Sequence, residues 1–230
     1  MELKKIKELS NKNYMNVFSR QNVCFVRGDK NKLYDTAGKE YTDFVSGIGV
    51  NCLGYNDPDL VRAISEQAAK LIHSSNLYYN EEQAVLCEKL LAGTIFTKMF
   101  LANSGAEANE CAFKLVRKYY NMRGLNRPVI ITANGSFHGR TLATLAATGQ
   151  DAFHKYFGPF PAGFSYAKPD FESLKSKITE KTCAVMLELI QGESGVHVLD
   201  KSFVRQTIEF CRANDILVII DEVQTGNGRT

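Results

Sequence analysis

Ile216-Leu217-Val218-Ile219-Ile220-Asp221-Glu222-Val223-Gln224 is the stretch that decides the fold. Five large aliphatic residues in a row leave no polar face, so the segment reads as a strand covered on both sides, as strands of a parallel sheet are. The preceding residues 201–214 predict a helix, with Phe203, Val204, Ile208 and Cys211 at helical spacing. The same alternation recurs upstream. Residues 184–189 read as a buried strand, 128–132 as another, and 98–102 as a short one followed by a helix from Ser104 to about Tyr120. Aliphatic strands joined by helices predict an α/β fold, a mostly parallel sheet flanked by helices.

Residues 24–28, 32–35 and 41–45 are short strand-like pieces bounded by Gly, Asp and Asn, which predicts a small antiparallel sheet. Asp57-Pro58 then opens a helix with a cap and a first-turn proline, its apolar stripe running through Leu60, Val61, Ile64, Ala68, Leu71 and Ile72. A second helix is predicted over residues 81–91. The expected division is therefore a small α+β segment over residues 1–55 and a larger α/β domain over residues 56–230.

Composition removes several function classes. With 28 basic and 25 acidic residues the net charge of +3 makes no case for nucleic acid. No apolar run approaches the roughly 18 residues needed to cross a bilayer, and charge interrupts every apolar stretch at the start, so a cytoplasmic location is expected. The six cysteines stand singly and read as buried thiols; the four histidines form no ligand set, so no metal is expected. Gly192-Glu193-Ser194-Gly195-Val196 lacks the last glycine of a nucleophile elbow, no P-loop occurs, and Cys52 replaces the third glycine of a dinucleotide fingerprint begun at Gly47.

In open parallel sheets ligands bind beyond the carboxyl ends of the strands, and three polar segments fall there. Asn103-Ser104-Gly105-Ala106-Glu107 carries an S-x-x-E capping box and a glycine at a helix start, where exposed amides suit a phosphate; a capped helix that binds nothing satisfies the same pattern. Gly135-Ser136-Phe137-His138-Gly139-Arg140 offers a stacking face beside an anion clamp, or simply a surface loop. Asp221, at the end of five aliphatics, is a carboxylate in want of a cation or donor, or a turn aspartate. Together the three ask for one ligand with a phosphate, a flat ring and a protonatable ring nitrogen. Pyridoxal phosphate has all three, and a carboxylate opposite its pyridinium strengthens it as an electron sink.

From about Val17 to Thr230 the chain resembles the class III, fold-type I pyridoxal-phosphate aminotransferases. The residues that carry this are Asn103-Ser104-Gly105-Ala106-Glu107-Ala108-Asn109-Glu110, Phe137-His138-Gly139-Arg140-Thr141-Leu142, Gln191-Gly192-Glu193-Ser194-Gly195-Val196, and residues 221–230. The resemblance implies a fold-type I large domain over residues 56–230 that binds the cofactor, and the N-terminal segment of the small domain over residues 1–55. It implies that Ser104, Gly105 and Ala106 hold the phosphate, and that Phe137 and Val223 cover the two ring faces. Asp221 would pair with the ring nitrogen and Gln224 would lie near the ring hydroxyl, with His138 and Glu222 also in the cofactor site. Arg140 would clamp the substrate α-carboxylate, Glu193 would neighbour the substrate end, and Asn76 and Tyr78 would lie near its entrance.

The implied reaction moves the δ-amino group of N-acetylornithine to 2-oxoglutarate, a step of arginine biosynthesis, in a homodimer. Gly47-Ile48-Gly49-Val50-Asn51 resembles the acetylornithine branch. Succinylornithine, N-acetyllysine, ornithine and ω-amino-acid aminotransferases, a 2,1-aminomutase, and a catalytically dead cofactor-binding protein are the alternatives. Departures from the family pattern are Phe18, Ser194 and Asn227. The family's Schiff-base lysine lies on a strand with no counterpart here, so the large domain is expected to be truncated before it. On that expectation the 230 residues are an incomplete chain, inactive alone and exposing apolar surface.

Overall fold

The computed structural model describes residues 1–230, which divide into two compact units, Met1–Ala92 and Gly93–Thr230. The first holds α1 (Leu3–Asn13), β1 (Phe25–Asp29), β2 (Lys32–Asp35), β3 (Glu40–Thr42), the single turn α2 (Ser46–Gly49), α3 (Pro58–Lys70) and α4 (Glu81–Leu91). The three strands form the anticipated antiparallel meander in the order β1-β2-β3. Gly28 is glycine because a Cβ there would lie 2.5 Å from the Tyr55 ring, whose hydroxyl donates to Asp43 Oδ2 at 2.8 Å. Asp57 caps α3 by accepting Leu60 N–H at 2.9 Å, and Asn80 caps α4 by accepting Gln83 N–H at 2.9 Å. Neither α3 nor α4 has a buried residue, and no residue of Met1–Ala92 is buried at all. The apolar stripe of α3 stays open, with Ile64 61% exposed. The boundary between the two compact units falls between Ala92 and Gly93.

The second unit holds α5 (Gly105–Asn121), β4 (Val129–Ala133), α6 (Leu142–Ala147), α7 (Asp151–His154), β5 (Phe164–Ala167), α8 (Phe171–Lys177), β6 (Thr182–Leu187), β7 (Ile190–Gln191), β8 (His197–Val198), α9 (Lys201–Ala213) and β9 (Leu217–Ile220). Four strands make a parallel sheet in the order β5-β4-β6-β9. The strand expected over residues 98–102 does not form; no strand lies beside it to accept a ladder, and Phe100 is 64% exposed. β5, which was not anticipated, occupies the edge beside β4.

The period-2 alternation of the strands serves two cores. Ile131, Ala133, Val185 and Leu187 face α8 and α9 through Leu174, Phe203 and Cys211. Ile130, Ala184 and Met186 face α5 and α6 through Phe113, Val116, Tyr120 and Ala147. This is the layered arrangement the aliphatic runs require. The thiols divide by place: Cys183 and Cys211 are buried, Cys52 is exposed, and Cys24, Cys87 and Cys111 are intermediate, so the expectation of uniformly buried cysteines holds for two of six. No helix is long and apolar enough to cross a membrane.

Strand order places the site. From β4 the chain moves to β5 on one side, crosses back over β4 to β6, and continues outward to β9. The winding reverses between β4 and β6, and a crevice opens at the carboxyl ends of strands at such a reversal. In register, Ala133 lies opposite Ala167 and Leu187 opposite Ile220. Glu188 and Asp221 therefore follow adjacent strands at the same level, and Asp221 N–H donates to Leu187 O at 2.8 Å.

Candidate active site

Ser104 caps α5, its hydroxyl accepting Glu107 N–H at 3.2 Å. The reciprocal arm of the capping box reaches one residue further back than expected: Glu107 Oε2 accepts Asn103 N–H at 2.7 Å instead of Ser104 N–H. The N–H groups of Gly105 and Ala106 have no intrahelical partner, being the first two of a 17-residue helix. A Cβ on Gly105 would sit 2.6 Å from a methyl of Val223, so the helix start backs directly onto the segment after β9. A Cβ on Gly139 would sit 2.8 Å from Ala106 Cβ, so the loop after β4 closes on the same helix start.

Asp221 lies at the centre and is only 6% exposed. Its Oδ2 meets His138 Nδ1 at 2.8 Å and accepts from the Asn109 amide at 2.9 Å; its Oδ1 accepts Val223 N–H at 2.9 Å. Burial pushes the carboxyl up, but the His138 hydrogen bond and charge, with the Val223 and Asn109 donors, outweigh it and hold Asp221 below the ordinary aspartate range. The buried carboxylate is therefore kept as an anion. Three of its roughly four lone-pair positions are used, which leaves one for a ligand.

The three segments singled out in the sequence thus converge. Phe137 is half-buried, packed edge-on against Phe153 at 5.5 Å between ring centres. Arg140 is exposed, its guanidinium 5.8 Å from the Phe137 ring and 5.6 Å from that of Phe153. Gln224 approaches Gly192, where a Cβ would meet Gln224 Cγ at 3.2 Å, so the residue before Glu193 borders the same end of the sheet. Glu193 itself is exposed. Glu222 is exposed and gives its carbonyl to a turn, accepting Gly226 N–H at 2.7 Å. His138 stands behind Asp221 rather than at the surface, 2% exposed. Asn76 and Tyr78 belong to the first unit and are exposed.

Two residues at the centre went unassigned in the sequence. Asn109 lies on the buried stripe of α5 with Phe113, Val116 and Tyr120, and its amide joins His138 O at 2.9 Å to Asp221. A polar residue on an otherwise apolar helical stripe was the available signal. Glu188 ends an aliphatic run as Asp221 does, and accepts Phe137 N–H at 2.7 Å.

These features fit pyridoxal phosphate. Free N–H groups at a helix start suit its phosphate, and an anionic buried carboxylate suits its ring nitrogen. His138 Nε2, buried without a hydrogen-bond partner, marks polar capacity that the chain itself does not fill.

The chain is similar to known proteins in sequence and in fold. The chain is 49% identical over 218 residues to the acetylornithine aminotransferase of Caldanaerobacter subterraneus, covering 94% of this chain and 56% of that protein. Among solved structures, N-acetylornithine aminotransferase from Stenotrophomonas maltophilia superposes with TM-score 0.79 at 38% identity, covering 97% of this chain and 55% of that one. Ornithine aminotransferase from Toxoplasma gondii superposes with TM-score 0.92 at 26% identity, covering 98% and 55%. The chain spans little more than half the length of the relatives it matches. Residues 14–230 match the family Aminotransferase class-III, whose members depend on pyridoxal phosphate. With that match running through nearly all of the sequence, and through every segment that meets at Asp221, the chain belongs to the class III aminotransferases.

Proposed function

We propose that Gly93–Thr230 is the cofactor-binding part of an aminotransferase that moves the δ-amino group of N-acetylornithine to 2-oxoglutarate, in the cytoplasm and in a homodimer. The observation that carries the cofactor assignment is the convergence of the α5 start, the 135–140 loop and Asp221 on one end of the sheet. The amine donor rests on the acetylornithine aminotransferases at 49% and 50% identity.

Bound pyridoxal phosphate supplies an electron sink that stabilises negative charge on the substrate carbon next to the transferred nitrogen. Asp221, held anionic, would keep the ring nitrogen protonated, and His138 and Asn109 hold its carboxylate in place. Gly105 and Ala106 N–H would bind the phosphate, with Ser104 securing the helix start. Phe137 and Val223 would lie against the ring and keep water from it. Gln224 would donate to the ring hydroxyl, and Glu222 accepts Gly226 N–H in the turn that carries Gln224. Arg140 orients the substrate carboxylate by a two-pronged bond, and Glu193 stands at the other end of the substrate.

Every lysine of Gly93–Thr230 is exposed, so none is buried against Asp221 to move protons there. On this reading Gly93–Thr230 binds the cofactor without a buried lysine of its own to move the proton. The test titrates the chain with pyridoxal phosphate and follows its absorbance, then adds acetylornithine and 2-oxoglutarate. Binding weakened at least ten-fold by Asp221→Ala, with no glutamate formed, is the expected result. Equal affinity of the two proteins refutes the site, and steady glutamate production refutes the incompleteness. In the whole protein, preference for ornithine over N-acetylornithine would overturn the donor assignment.

A further inference from the structure

Within the loop that carries Phe137, the backbone N–H groups of Gly135, Ser136 and His138 are held by neutral acceptors. Gly135 donates to Gly149 O at 2.8 Å, Ser136 to Ala133 O at 3.1 Å, and His138 to Thr148 Oγ1 at 3.0 Å. Phe137 N–H alone donates to an ionisable side chain, Glu188 Oε1, at 2.7 Å. Glu188 is 6% exposed, at the end of β6 beside the winding reversal. The charged groups that face it come from three elements. His138, after β4, attracts its charge; Asp221, after β9, and Glu193, after β7, repel it. Burial dominates, and the carboxyl is pushed up to about 7.

We propose that Glu188 is a positioning residue whose charged form secures the Phe137 backbone and thereby sets the ring of Phe137, with Arg140 stacked on it, for the cofactor. This role rests on the cofactor reading above. A hydrogen bond to a charged acceptor is shorter and about twice as strong as one to a neutral acceptor. Protonation of Glu188 therefore loosens the one amide that anchors the ring-bearing residue, while the neighbouring amides keep their partners. Phe137 packs edge-on against Phe153 and beneath Arg140, so a shift of its backbone moves an aromatic face and a guanidinium together.

The first arm of the test needs neither cofactor nor variant. In 15N–1H NMR spectra of the chain between pH 5 and 9, the Phe137 amide proton is expected to move downfield with a single midpoint near that of Glu188, about 7. A Phe137 amide that is flat across this range overturns the proposal. The second arm compares pyridoxal phosphate binding by wild type and Glu188→Gln, which keeps a neutral acceptor for Phe137 N–H. Wild type is expected to gain about five-fold in affinity on deprotonation, beyond the phosphate's own ionisation, and Glu188→Gln to lack that gain. Identical pH profiles overturn the proposal, because a purely structural glutamate is fully replaced by glutamine. Absence of binding by wild type at all pH values overturns the cofactor reading instead, and the amide arm then decides Glu188 alone.

Discussion

Glutamine at position 188 should change how stability depends on pH, in a direction opposite to the usual carboxylate. In the unfolded chain Glu188 titrates near its ordinary 4.5; in the folded chain it titrates at about 7. The folded state therefore binds the extra proton between these values, and stability falls as pH rises through them. The stabilising contribution is fully present below about 4.5 and lost above about 7. At about 1.36 kcal/mol per pH unit the gap amounts to roughly 3 kcal/mol. The residue is 6% exposed, so solvent screening does little to reduce it. Asp221 behaves in the opposite sense: its folded value is lowered, so its contribution is present above its unfolded value and lost only as pH falls through the folded one, below this window. Urea unfolding of wild type and Glu188→Gln, followed by near-ultraviolet circular dichroism at pH 5, 6, 7 and 8, isolates the effect. Groups that do not face Glu188 cancel in the difference between the two proteins. The variant should gain about 2.5 kcal/mol relative to wild type on going from pH 5 to pH 8, because part of the contribution is already lost at pH 5, whatever its offset at either end. A difference that stays constant across that range would show that Glu188 is not kept from ionising by its surroundings.

Three further outcomes follow from the same geometry. Asn109→Ala removes a donor to Asp221 Oδ2 and to His138 O, both buried, and should cost about 2–3 kcal/mol in urea unfolding while raising the Asp221 carboxyl; a loss under 0.5 kcal/mol would mean that water replaces the amide. Gly105→Ala drives a Cβ to 2.6 Å from Val223 and should cost about 1–2 kcal/mol, most of it recovered when Val223→Ala is combined with it; additive losses would place the strain elsewhere. Hydrogen exchange should be fast throughout Met1–Ala92, which has no buried residue, and slow in β4 and β6, whose centres are fully buried; comparable protection would contradict this.

Much of the scaffold is legible locally. Caps at Asp57, Asn80, Ser104 and Asp200 stand where their helices begin, because a side-chain oxygen and an N–H two or three residues on are all that a cap needs. The aliphatic runs ending at Leu187 and Ile220 are strands because such runs are buried on both faces. Residues 98–102 show where this reasoning stops: the run is apolar, yet a strand also needs a neighbour, and none pairs with it. β5 is not legible locally because Phe164-Ser165-Tyr166-Ala167 is short and mixed, as an edge strand can be. Glu188 carried the same signature as Asp221, a carboxylate closing an aliphatic run, but only its pairing with Phe137 N–H distinguishes it from a turn residue.

The order of aliphatic strands and capped helices, and the chemical kinds of residue placed just beyond the strands, were determined by the chain's own string of side chains. Period, propensity and capping act over a few residues, so they can be read without coordinates. Which of those residues meet was decided by the tertiary fold alone. Asn109 and Asp221 are 112 residues apart, and His138 and Asp221 are 83 apart. What brings them within hydrogen-bond reach is the reversal of winding between β4 and β6. That reversal is settled by which apolar faces pack against which helices, a choice no local segment contains.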